Sequence, residues 1–395
     1  MLTRAAIVGI HEYPSRNTTG VSALQIKAAC AAAALEDAGL QWSDVDALYD
    51  ANEGVGRLGG LHMGEYFGLK PSIHETTMVG GSSYEVHAGH ARDAIALGRA
   101  RVALLTYGSL SRSAGANIGT GGPPVHDAPL PSENMESIPW GVNVVAYYAM
   151  AAMRHMYQYG TTSEQLAEIA VAARLHAIRN PEAVRAMKEL GFRDVGEITV
   201  DDVVSSRLVA DPLHRLECCM ISDGGGAVVI ASEDIAKDTR QTPVWILGAG
   251  EGQGYPESGG DITISGALQS GQRAFGEAGV DPGEIDIAML YDSFTITVLT
   301  VLEDLGFCAK GEGGAFVEDG RLRWDSGLRP SLNTDGGGLF SNHPGMRGIF
   351  LLIEAARQLR GQSTSQVDGA SLAVCHGNGG LLGSRHVGGT VVLGR

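Results

Sequence analysis

The amino-acid sequence predicts an α/β fold that is built from two duplicated halves. Predicted strands and helices alternate along the 395 residues, and one succession of elements occurs twice, about 240 residues apart. The 56 glycines gather where predicted strands end, which is where a backbone approaches a ligand or another strand closely. We therefore expect an N-terminal half at residues 1–240 and a C-terminal half at residues 241–395.

The first half begins with a strand and a helix. The apolar, β-branched run at residues 5–10 predicts a buried strand, and the alanine-rich stretch 22–38 has the spacing of a helix. An acidic turn follows, and the next predicted strand ends in Tyr-Asp at Asp50. After a further helix and a buried strand, residues 110–200 are predicted to form an insertion. A strand that ends near residue 232 then closes this half.

The insertion has a composition of its own. It begins with a Gly/Pro-rich loop at residues 116–132, and helical spacing follows at 142–158 and 162–190. Glycine and proline interrupt regular structure, so we expect an irregular segment followed by helices that pack on the first half.

The second half repeats the succession of the first. A strand is predicted at residues 244–250 and a helix at 265–278, and the next apolar strand again ends in Tyr-Asp at Asp292. A helix at 350–362 and a strand at 371–380, which runs into glycines, complete the half. The shared order of elements indicates a duplicated α/β unit.

Composition narrows the class of protein. Apolar residues make up 44% of the chain and charged residues 19%, which is typical of an ordered, soluble enzyme. The net charge of −16 argues against nucleic-acid binding, and an anionic ligand such as coenzyme A would need a local cluster of basic residues. No apolar run is long enough to predict a membrane span, and we expect a cytoplasmic protein. Five cysteines without a CxxC pair predict free thiols and neither a disulfide framework nor a metal site.

Three blocks of the second half carry residues suited to chemistry. They lie at predicted strand–loop or loop–helix junctions, at residues 291–307, 333–348 and 374–386. The first opens with Tyr-Asp-Ser-Phe, and the other two are glycine-rich loops that each contain a histidine. Polar residues at strand ends of an open α/β sheet commonly line a ligand crevice.

These blocks, in their order, resemble the thiolase superfamily, and within it the sterol-carrier-type thiolases. The family's Asn-x-x-Gly-Gly and Gly-His-Pro motifs are matched by Asn333–Gly337 and by Asn342-His343-Pro344. Its closing Cys-x-Gly region is matched by Cys375–Gly380. The resemblance covers essentially the whole chain. It implies a five-layer αβαβα thiolase fold, with the active site at the junction of the two halves.

Two departures from the family pattern bear on the function. Gly81 stands where the family has its nucleophilic cysteine, and Tyr291 stands where the family has a histidine. A Claisen condensation through an acyl-cysteine needs a thiolate, so the chain must catalyse different carbon–carbon chemistry. Ser82 is an adjacent candidate nucleophile, but no histidine-plus-acid arrangement is visible around it.

The loss of the cysteine and the tyrosine at 291 resemble the thiolase-like aldolases that cleave steroid side chains. The resemblance implies retro-aldol cleavage of a β-hydroxyacyl-CoA to a ketone or aldehyde and a short acyl-CoA. Tyr291 would remove the β-hydroxyl proton, for which its pKa would have to be lowered from about 10. The branch's second catalytic tyrosine is not evident, because Ser341-Asn342 stand at its expected place.

Nine residues form the predicted site. We assign catalytic roles to Tyr291, His343 and His376, although His376 could equally be a structural histidine at a strand end. Oxyanion or substrate-binding roles are predicted for six more residues, and no metal or further cofactor is expected besides the CoA of the substrate. These six are Gly81, Ser82, Asn333, Ser341, Asn342 and Gly379.

Other residues of the blocks have structural interpretations. Asn333 could order its glycine loop without touching substrate. Asp292 is expected to cap the helix that begins near Phe294. Cys375 is predicted to be a small buried thiol, and the Cys218-Cys219 pair is predicted to lie in the core.

The resemblance also implies partners. Thiolases pair their sheets edge to edge in a homodimer, which removes an exposed strand edge. The aldolase branch implies a separate OB-fold subunit that is associated with acyl-CoA. Two alternatives remain open from the sequence. One is a thiolase-like acyltransferase that uses a serine or water nucleophile, and the other is a non-catalytic subunit that binds acyl-CoA or sterol.

Overall fold

The computed structural model describes residues 3–56, 58–116, 143–254, 261–382 and 384–395. The predicted loop at 116–132 lies outside these residues except for Ala116. In the described part of the chain, no helix is both long enough and apolar enough to cross a membrane.

Twelve strands are described. In chain order they are β1 (Ala5–Glu12), β2 (Ala47–Tyr49), β3 (Ile73–Glu75), β4 (Val102–Ser109), β5 (Leu208–Ala210), β6 (Leu213–His214), β7 (Gly224–Ser232), β8 (Val244–Gly254), β9 (Ile287–Leu290), β10 (Ser331–Leu332), β11 (Leu372–Leu381) and β12 (Ser384–Gly394). Strands β5 and β6 form a small separate hairpin, and the other ten form one mixed sheet.

Thirteen α-helices are described. They are α1 (Ala23–Ala38), α2 (Gly59–Phe67), α3 (Ser83–Ala96), α4 (Val144–Tyr159), α5 (Ser163–Arg179), α6 (Pro181–Glu189), α7 (Val200–Val204), α8 (Glu233–Ala236), α9 (Ala267–Ala278), α10 (Thr295–Asp304), α11 (Gly313–Val317), α12 (Gly337–Phe340) and α13 (Gly348–Arg360).

The two halves have the same strand topology. The order in the sheet is β10-β9-β11-β12-β8-β1-β7-β4-β2-β3. Each half contributes five strands, which in chain order are β1, β2, β3, β4 and β7 in the first half and β8 to β12 in the second. Counted in this way, the first strand of each half pairs with the fifth, the fifth with the fourth, the fourth with the second and the second with the third. The first two pairings are antiparallel and the last two are parallel in both halves. The duplication predicted from the repeated elements is therefore confirmed. The predicted boundary at residues 240 and 241 falls between α8 and β8.

The helices add three layers to the two half-sheets. Helices α3 and α13 lie in the centre, where each contacts strands of both halves. Helix α1 covers β1, β4 and β7 on one outer face, and α9 covers β8 and β12 on the other. The arrangement is the predicted five-layer αβαβα fold. Because α3 and α13 are covered on both sides, almost every residue of α13 is buried.

Local sequence explains the helix boundaries. Ser22 and Gln25 form a capping box at the start of α1, and Gly39 ends the helix in the left-handed conformation with φ 76°. The helix predicted at 162–190 is instead two helices, α5 and α6, separated at Asn180. Proline at 181 forces the preceding residue into extended backbone (φ −92°, ψ 108°), and Asn180 then caps α6.

Candidate active site

A cavity of about 270 Å³ lies at the junction of the two halves. The segments around it are the turn before α3, the start of α4, the loop after β9, the loop between α12 and α13, and the end of β11. The lining residues are Glu53, Met78, Gly80, Gly81, Ser111, Ala116, Val144, Tyr148, Cys219, Ile221, Tyr291, Ser293, Phe294, His343, Gly345, Met346, Asn378, Gly380 and Leu381. Strand ends and glycine loops thus line this cavity.

The ring of Tyr291 fills the space in front of Gly81. A Cβ atom on Gly81 would stand 2.1 Å from Cε2 of Tyr291 and 2.5 Å from the carbonyl oxygen of Asn378. No side chain of any size can occupy position 81 while the tyrosine ring stays in place. The two departures from the family pattern are therefore sterically linked.

Tyr291 is hydrogen-bonded to His343. Its hydroxyl oxygen lies 3.0 Å from Nε2 of His343, and it is within 3.2 Å of the carbonyl oxygen of Gly345, to which it can donate. The two rings meet edge to face, with centroids 5.5 Å apart and planes at 83°. Tyr291 is only 4% exposed, so its hydroxyl is presented to the cavity and not to bulk solvent.

Burial keeps both rings neutral. Desolvation, reinforced by Cys219 and Tyr148, raises the pKa of Tyr291 well above its usual value. Desolvation and the nearby Arg347 guanidinium lower the pKa of His343 to about 4. The expectation that the pocket lowers the tyrosine pKa is therefore not met, because no charge near the phenol outweighs the loss of solvent. The pair can instead act as a relay, in which the phenol accepts one proton as it passes its own to the imidazole.

Arg347 fixes the loop that carries His343. This buried guanidinium donates two hydrogen bonds to Asp335, at 2.7 and 2.8 Å, and one to the carbonyl of Asn342 at 3.0 Å. Its Nε lies 3.1 Å from a carboxylate oxygen of Asp292. These contacts hold the loop against the end of β9, which is where Tyr291 stands. They therefore help to set the distance between Tyr291 and His343.

Asp292 caps a different helix from the one expected. Its carboxylate accepts hydrogen bonds from the backbone of Gly338 (2.7 Å) and Leu339 (3.3 Å), in the first turn of α12. Helix α10 has no side-chain cap at Phe294. The preference of aspartate for helix N-termini predicts that Asp292 caps α10, the next helix along the chain. In the fold, the backbone N–H groups of the glycine-rich loop at the start of α12 bond its carboxylate instead. Burial raises the pKa of Asp292 to about 6, although Arg347 opposes the shift.

Two predicted residues lie behind the cavity wall. Asn333 exchanges two hydrogen bonds of 2.8 Å with the backbone of Leu290, the residue before Tyr291. His376 bonds through Nδ1 to Thr390 at 2.8 Å, and burial lowers its pKa to about 3. Neither side chain lines the cavity. Their observed contacts are structural ones that position the ends of β9 and β11.

The remaining predicted residues support the loops. Asn342 accepts a hydrogen bond from Ser222 (2.8 Å) and donates one to Glu12 (3.1 Å), and the carbonyl of Ser341 accepts one from a buried arginine. The hydroxyl of Ser82 donates to the carbonyl of Val79 at 2.9 Å. Gly379 allows a close approach, since a Cβ there would stand 1.8 Å from that same carbonyl. Of the nine predicted residues, Gly81, Tyr291 and His343 line the cavity.

The predicted site lacked six polar residues that line the cavity, which are Glu53, Ser111, Tyr148, Cys219, Ser293 and Asn378. Asn378 donates to the hydroxyl of Tyr148 at 2.7 Å, and its Oδ1 is buried without a hydrogen-bond partner in the described structure. Cys219 was assigned to the core alone, yet its buried side chain also reaches the cavity. Glu53 follows the first Tyr-Asp of the repeat, so the correspondence with Tyr291-Asp292 was a signal that could have identified it.

A basic cleft adjoins the cavity. The two share Ala116, Cys219 and Ile221 as a common wall. The cleft is lined by Arg112, Arg207 and Arg215, and none of the three forms an ion pair with another described residue. In a chain of net charge −16, three arginines without a carboxylate partner mark a surface suited to an anionic ligand.

Comparisons with known proteins agree with this architecture. Residues 248–395 match the family model described as thiolase C-terminal domain-like. The chain is 33% identical to an acetyl-CoA acetyltransferase of Methanothermobacter thermautotrophicus, over 97% of this chain and 98% of the relative. It is also 35% identical to a steroid side-chain-cleaving aldolase of Thermomonospora curvata, over 92% of each chain. The chain therefore belongs to the thiolase superfamily, in its sterol-carrier-type, thiolase-like group.

Two further relatives support this placement. A 17-hydroxy-3-oxo-4-pregnene-20-carboxyl-CoA lyase of Mycobacterium tuberculosis is 34% identical over 93% of this chain and 94% of the relative. The solved structure of the Ltp2-ChsH2(DUF35) aldolase superposes with a TM-score of 0.86 at 32% identity. It covers 99% of this chain and 97% of that one.

Proposed function

We propose that this chain is a carbon–carbon lyase that cleaves a β-hydroxyacyl-CoA by a retro-aldol reaction without an acyl-cysteine. The observation that carries the proposal is the Tyr291–His343 hydrogen bond in the space that a nucleophile at position 81 would need. A hydroxyl group that faces a buried cavity and is backed by an imidazole suits proton transfer with a substrate hydroxyl.

The relay accounts for the bond cleavage. Tyr291 takes the proton of the β-hydroxyl group while its own proton moves to Nε2 of His343, so that no phenolate has to form in the buried cavity. The electrons of the O–H bond form the carbonyl of the ketone or aldehyde. The Cα–Cβ bond breaks, and its electron pair forms the enolate of the thioester. With a pKa of about 4, His343 then gives its added proton back to the Tyr291 oxygen, while the Tyr291 hydroxyl passes its own proton on to the group that protonates the product, or to solvent.

The enolate oxygen needs hydrogen-bond donors that are in place before the reaction. Asn378 is the candidate in the cavity wall, because only one of its two amide hydrogens bonds a described residue, the Tyr148 hydroxyl. The amide orientation is held from behind by Tyr148, which itself donates to the carbonyl of Gly380 at 3.2 Å. An amide held in this way can stabilise the developing charge without reorganising.

The adjoining basic cleft supports a CoA thioester as the substrate. Phosphate groups bind arginine well because the guanidinium is planar and always charged. The cleft shares a wall with the cavity, so a ligand with phosphates near Arg112, Arg207 or Arg215 could extend its thioester toward Tyr291. An acidic chain repels an anionic ligand such as CoA unless basic residues cluster where the ligand binds. These three arginines would form such a cluster.

The substrate class follows from the cavity wall and from the relatives. Much of the wall is apolar, with Met78, Val144, Phe294, Met346 and Leu381. Such a surface suits a hydrophobic acyl group, and the names of two relatives refer to steroid side-chain cleavage and to a pregnene carboxyl-CoA. A steroid side-chain CoA thioester is therefore the proposed substrate.

Acyl transfer is the second candidate function, since one relative is an acetyl-CoA acetyltransferase. The hydroxyls next to position 81 do not favour it. Ser82 and Ser83 donate to the carbonyls of Val79 and Gly80, at 2.9 and 2.7 Å, and neither has a histidine partner in the described structure. Retro-aldol cleavage needs no nucleophile and fits the site better.

A homodimer and a partner subunit belong to the same proposal. Strand β3 is one of the two outer strands of the sheet, and the apolar side chains of Leu58, Leu61 and Met78 are more than half exposed beside it. Pairing of the β3 strands of two subunits would cover the open strand edge and these apolar side chains. The name of the Ltp2-ChsH2(DUF35) aldolase joins two proteins, which supports an association of this chain with a separate subunit. We propose that this subunit has an OB-fold and contributes to acyl-CoA binding. A cytoplasmic location remains a prediction.

Substitution of Tyr291 tests the function. Purified chain, alone and with its OB-fold partner, would be assayed for release of carbonyl product and acyl-CoA from steroid and aliphatic β-hydroxyacyl-CoA thioesters. Tyr291→Phe removes one hydroxyl and keeps the ring, so turnover should fall about 10²–10⁴-fold with KM nearly unchanged. Tyr157→Phe is the matched control, because this tyrosine is 86% exposed on α4. Turnover of Tyr291→Phe within a few-fold of wild type, where the chemical step limits the rate, would refute the relay.

A further inference from the structure

The relay leaves one step without a group to perform it. After the Cα–Cβ bond breaks, the enolate carbon must receive a proton before the acyl-CoA leaves. Tyr291 and His343 are occupied with the proton of the β-hydroxyl group. The candidates for the proton donor to carbon are therefore the other acidic groups that reach the same cavity.

We infer that Glu53 is this group, a second catalytic acid–base residue that protonates the α-carbon of the enolate. The inference rests on the proposed aldolase function and adds a residue to it. Among the described residues that line the cavity, Glu53 is the one with a carboxyl group. It comes from the first half of the chain, whereas Tyr291 and His343 come from the second.

The position of Glu53 places it beside the relay. Its Oε1 lies 3.4 Å from the point where a Cβ atom on Gly345 would stand, and the carbonyl of Gly345 is within 3.2 Å of the Tyr291 hydroxyl. The carboxyl and the phenol therefore flank the same residue. A substrate in the cavity would meet them at neighbouring points of the wall.

Buried hydroxyl groups hold the Glu53 carboxyl. Ser109 donates to Oε1 at 3.0 Å and lies 3.1 Å from Ser111, which donates to the carbonyl of Pro344 at 2.9 Å. Pro344 stands between His343 and Gly345 in the loop of the relay. No hydrogen bond joins Oε2 of Glu53 to a described residue, so this atom is available to a substrate.

The nearby cation does not neutralise Glu53. Lys27 bonds the Asp50 carboxylate at 2.8 Å and only the backbone carbonyl of Glu53 at 2.7 Å. Burial raises the pKa of the Glu53 carboxyl, with Ser109 and Lys27 opposing the shift and Asp50 adding to it. A carboxyl group without an ion-pair partner can remain protonated and donate that proton to carbon.

The other acids in the wall are weaker donors. Burial raises the pKa of Tyr148 to about 12 and the pKa of the Cys219 thiol well above its usual value. In the proposed step the O–H bond of Glu53 breaks, a C–H bond forms at Cα, and the enolate becomes a neutral thioester. The carboxylate regains a proton from the relay or from solvent, so the cycle balances without any co-reactant.

Proton exchange of the product tests Glu53 apart from cleavage. By microscopic reversibility, the residue that protonates Cα also removes an α-proton from the acyl-CoA product. The enzyme with its partner would be incubated in D₂O with acetyl-CoA or propionyl-CoA, and deuterium at Cα would be measured by mass spectrometry. Wild type and Glu36→Gln, which changes an exposed glutamate on α1, should exchange at equal rates.

Glu53→Gln should slow the exchange about 10²-fold or more, because the amide keeps the shape and the hydrogen bond from Ser109 but cannot carry the proton. Cleavage should fall through kcat with little change in KM. Glu53→Asp should recover part of the exchange, which separates loss of the acid from loss of structure. Thermal melting curves would verify that both variants fold.

The outcomes separate the two proposals. A wild-type enzyme that cleaves β-hydroxyacyl-CoA, together with a folded Glu53→Gln variant that exchanges as fast as wild type, would overturn the role of Glu53 alone. A wild-type enzyme that cleaves none of the β-hydroxyacyl-CoA thioesters would overturn the aldolase function and, with it, this inference.

Discussion

The ring of Tyr291 lies where a nucleophilic side chain at position 81 would stand, so the residue at position 81 has to be glycine. In the thiolase pattern the residue at position 81 carries a reactive side chain. In this chain the residue must have no side chain, because the Tyr291 ring occupies that space. The ring of Tyr291 and the carbonyl of Asn378 both lie within 2.5 Å of the point that a Cβ on Gly81 would occupy. A side chain can therefore be added at position 81 only if the ring at position 291 is removed or displaced.

Gly81→Ala should be destabilising and should impair turnover. The added methyl group would force Tyr291 off His343, and overpacking of a buried site typically costs about 1–3 kcal/mol. Urea unfolding and the cleavage assay would measure the two effects. Gly276→Ala in α9 is the control, because nothing lies within 4 Å of its added Cβ and alanine favours a helix. Wild-type stability and turnover in Gly81→Ala would show that the ring does not fill this space.

Cys219 is the described thiol that reaches the cavity, and it should be dispensable. Burial, reinforced by Cys218, raises its pKa, so the reactive thiolate is scarce at neutral pH. Cys219→Ala should keep turnover within about threefold of wild type, and Cys375→Ala, away from the cavity, serves as the comparison. Intact-mass spectrometry after incubation with acyl-CoA should show no acyl adduct. An adduct that Cys219→Ala abolishes together with activity would establish an acyl-enzyme.

Single elements show where sequence patterns were sufficient and where they failed. The strand and helix of each repeat were predicted because their periodicity is local. The break between α5 and α6 was missed, although Pro181 marked it, and so was the two-residue strand β10. Asp292 was assigned to the wrong helix because its actual partners, Gly338 and Leu339, are distant in the sequence.

The site was also predictable only in part, because local motifs identify residues near it but not the contacts between distant segments. Tyr291, His343 and Gly81 belong to contiguous motifs, and the structure brings them together. Asn333 and His376 lie in equally clear motifs, but their side chains turn away from the cavity to bond Leu290 and Thr390. A motif fixes which residues are near a site, whereas the direction of each side chain depends on packing between elements.

Helix α2 and strand β3 should form the dimer interface. Leu61 is 67% exposed on α2, next to the open edge of β3, and its burial in a dimer would explain this exposure. Sedimentation velocity should find wild type as a dimer and Leu61→Glu as a folded, weaker dimer or monomer. Leu97→Glu, also exposed but at the end of α3, should leave the dimer intact. A monomeric wild type would exclude the homodimer.

At the scale of the whole molecule, buried histidines should make the protein sensitive to acid. Desolvation lowers the pKa of five histidines to between about 3 and 4. They are His87, His176, His343, His376 and His386. The unfolded chain binds protons at these residues below about pH 6.5, whereas the folded chain does not. Their contribution to stability is therefore complete above pH 6.5 and is lost as the pH falls toward 4.

Buried carboxyls offset a part of this loss. The pKa is raised to about 6 in Asp292 and to about 7 in Glu354, so these groups contribute most at low pH and lose their contribution as the pH rises through those values. Burial raises the pKa of Glu53, Glu85, Glu217 and Asp304 as well, so the histidine contribution has to be isolated by substitution. Lowering the pH from 7 to 5 should reduce the urea midpoint less in His386→Gln than in wild type, because the variant lacks one histidine that stays neutral in the folded chain. An equal pH dependence in both proteins would mean that His386 is accessible to protons in the folded state.

The central position of α3 bears on how the chain is made. A ribosome completes the first half while the strands that will cover α3 from the other side are still unsynthesised. Val86 and Gly89 of this helix later pack against Gly389 and Ala249. Until then, that face of the nascent chain stays open to water or to another unfinished chain. The growing polypeptide is therefore expected to be prone to aggregation until the second half has been translated.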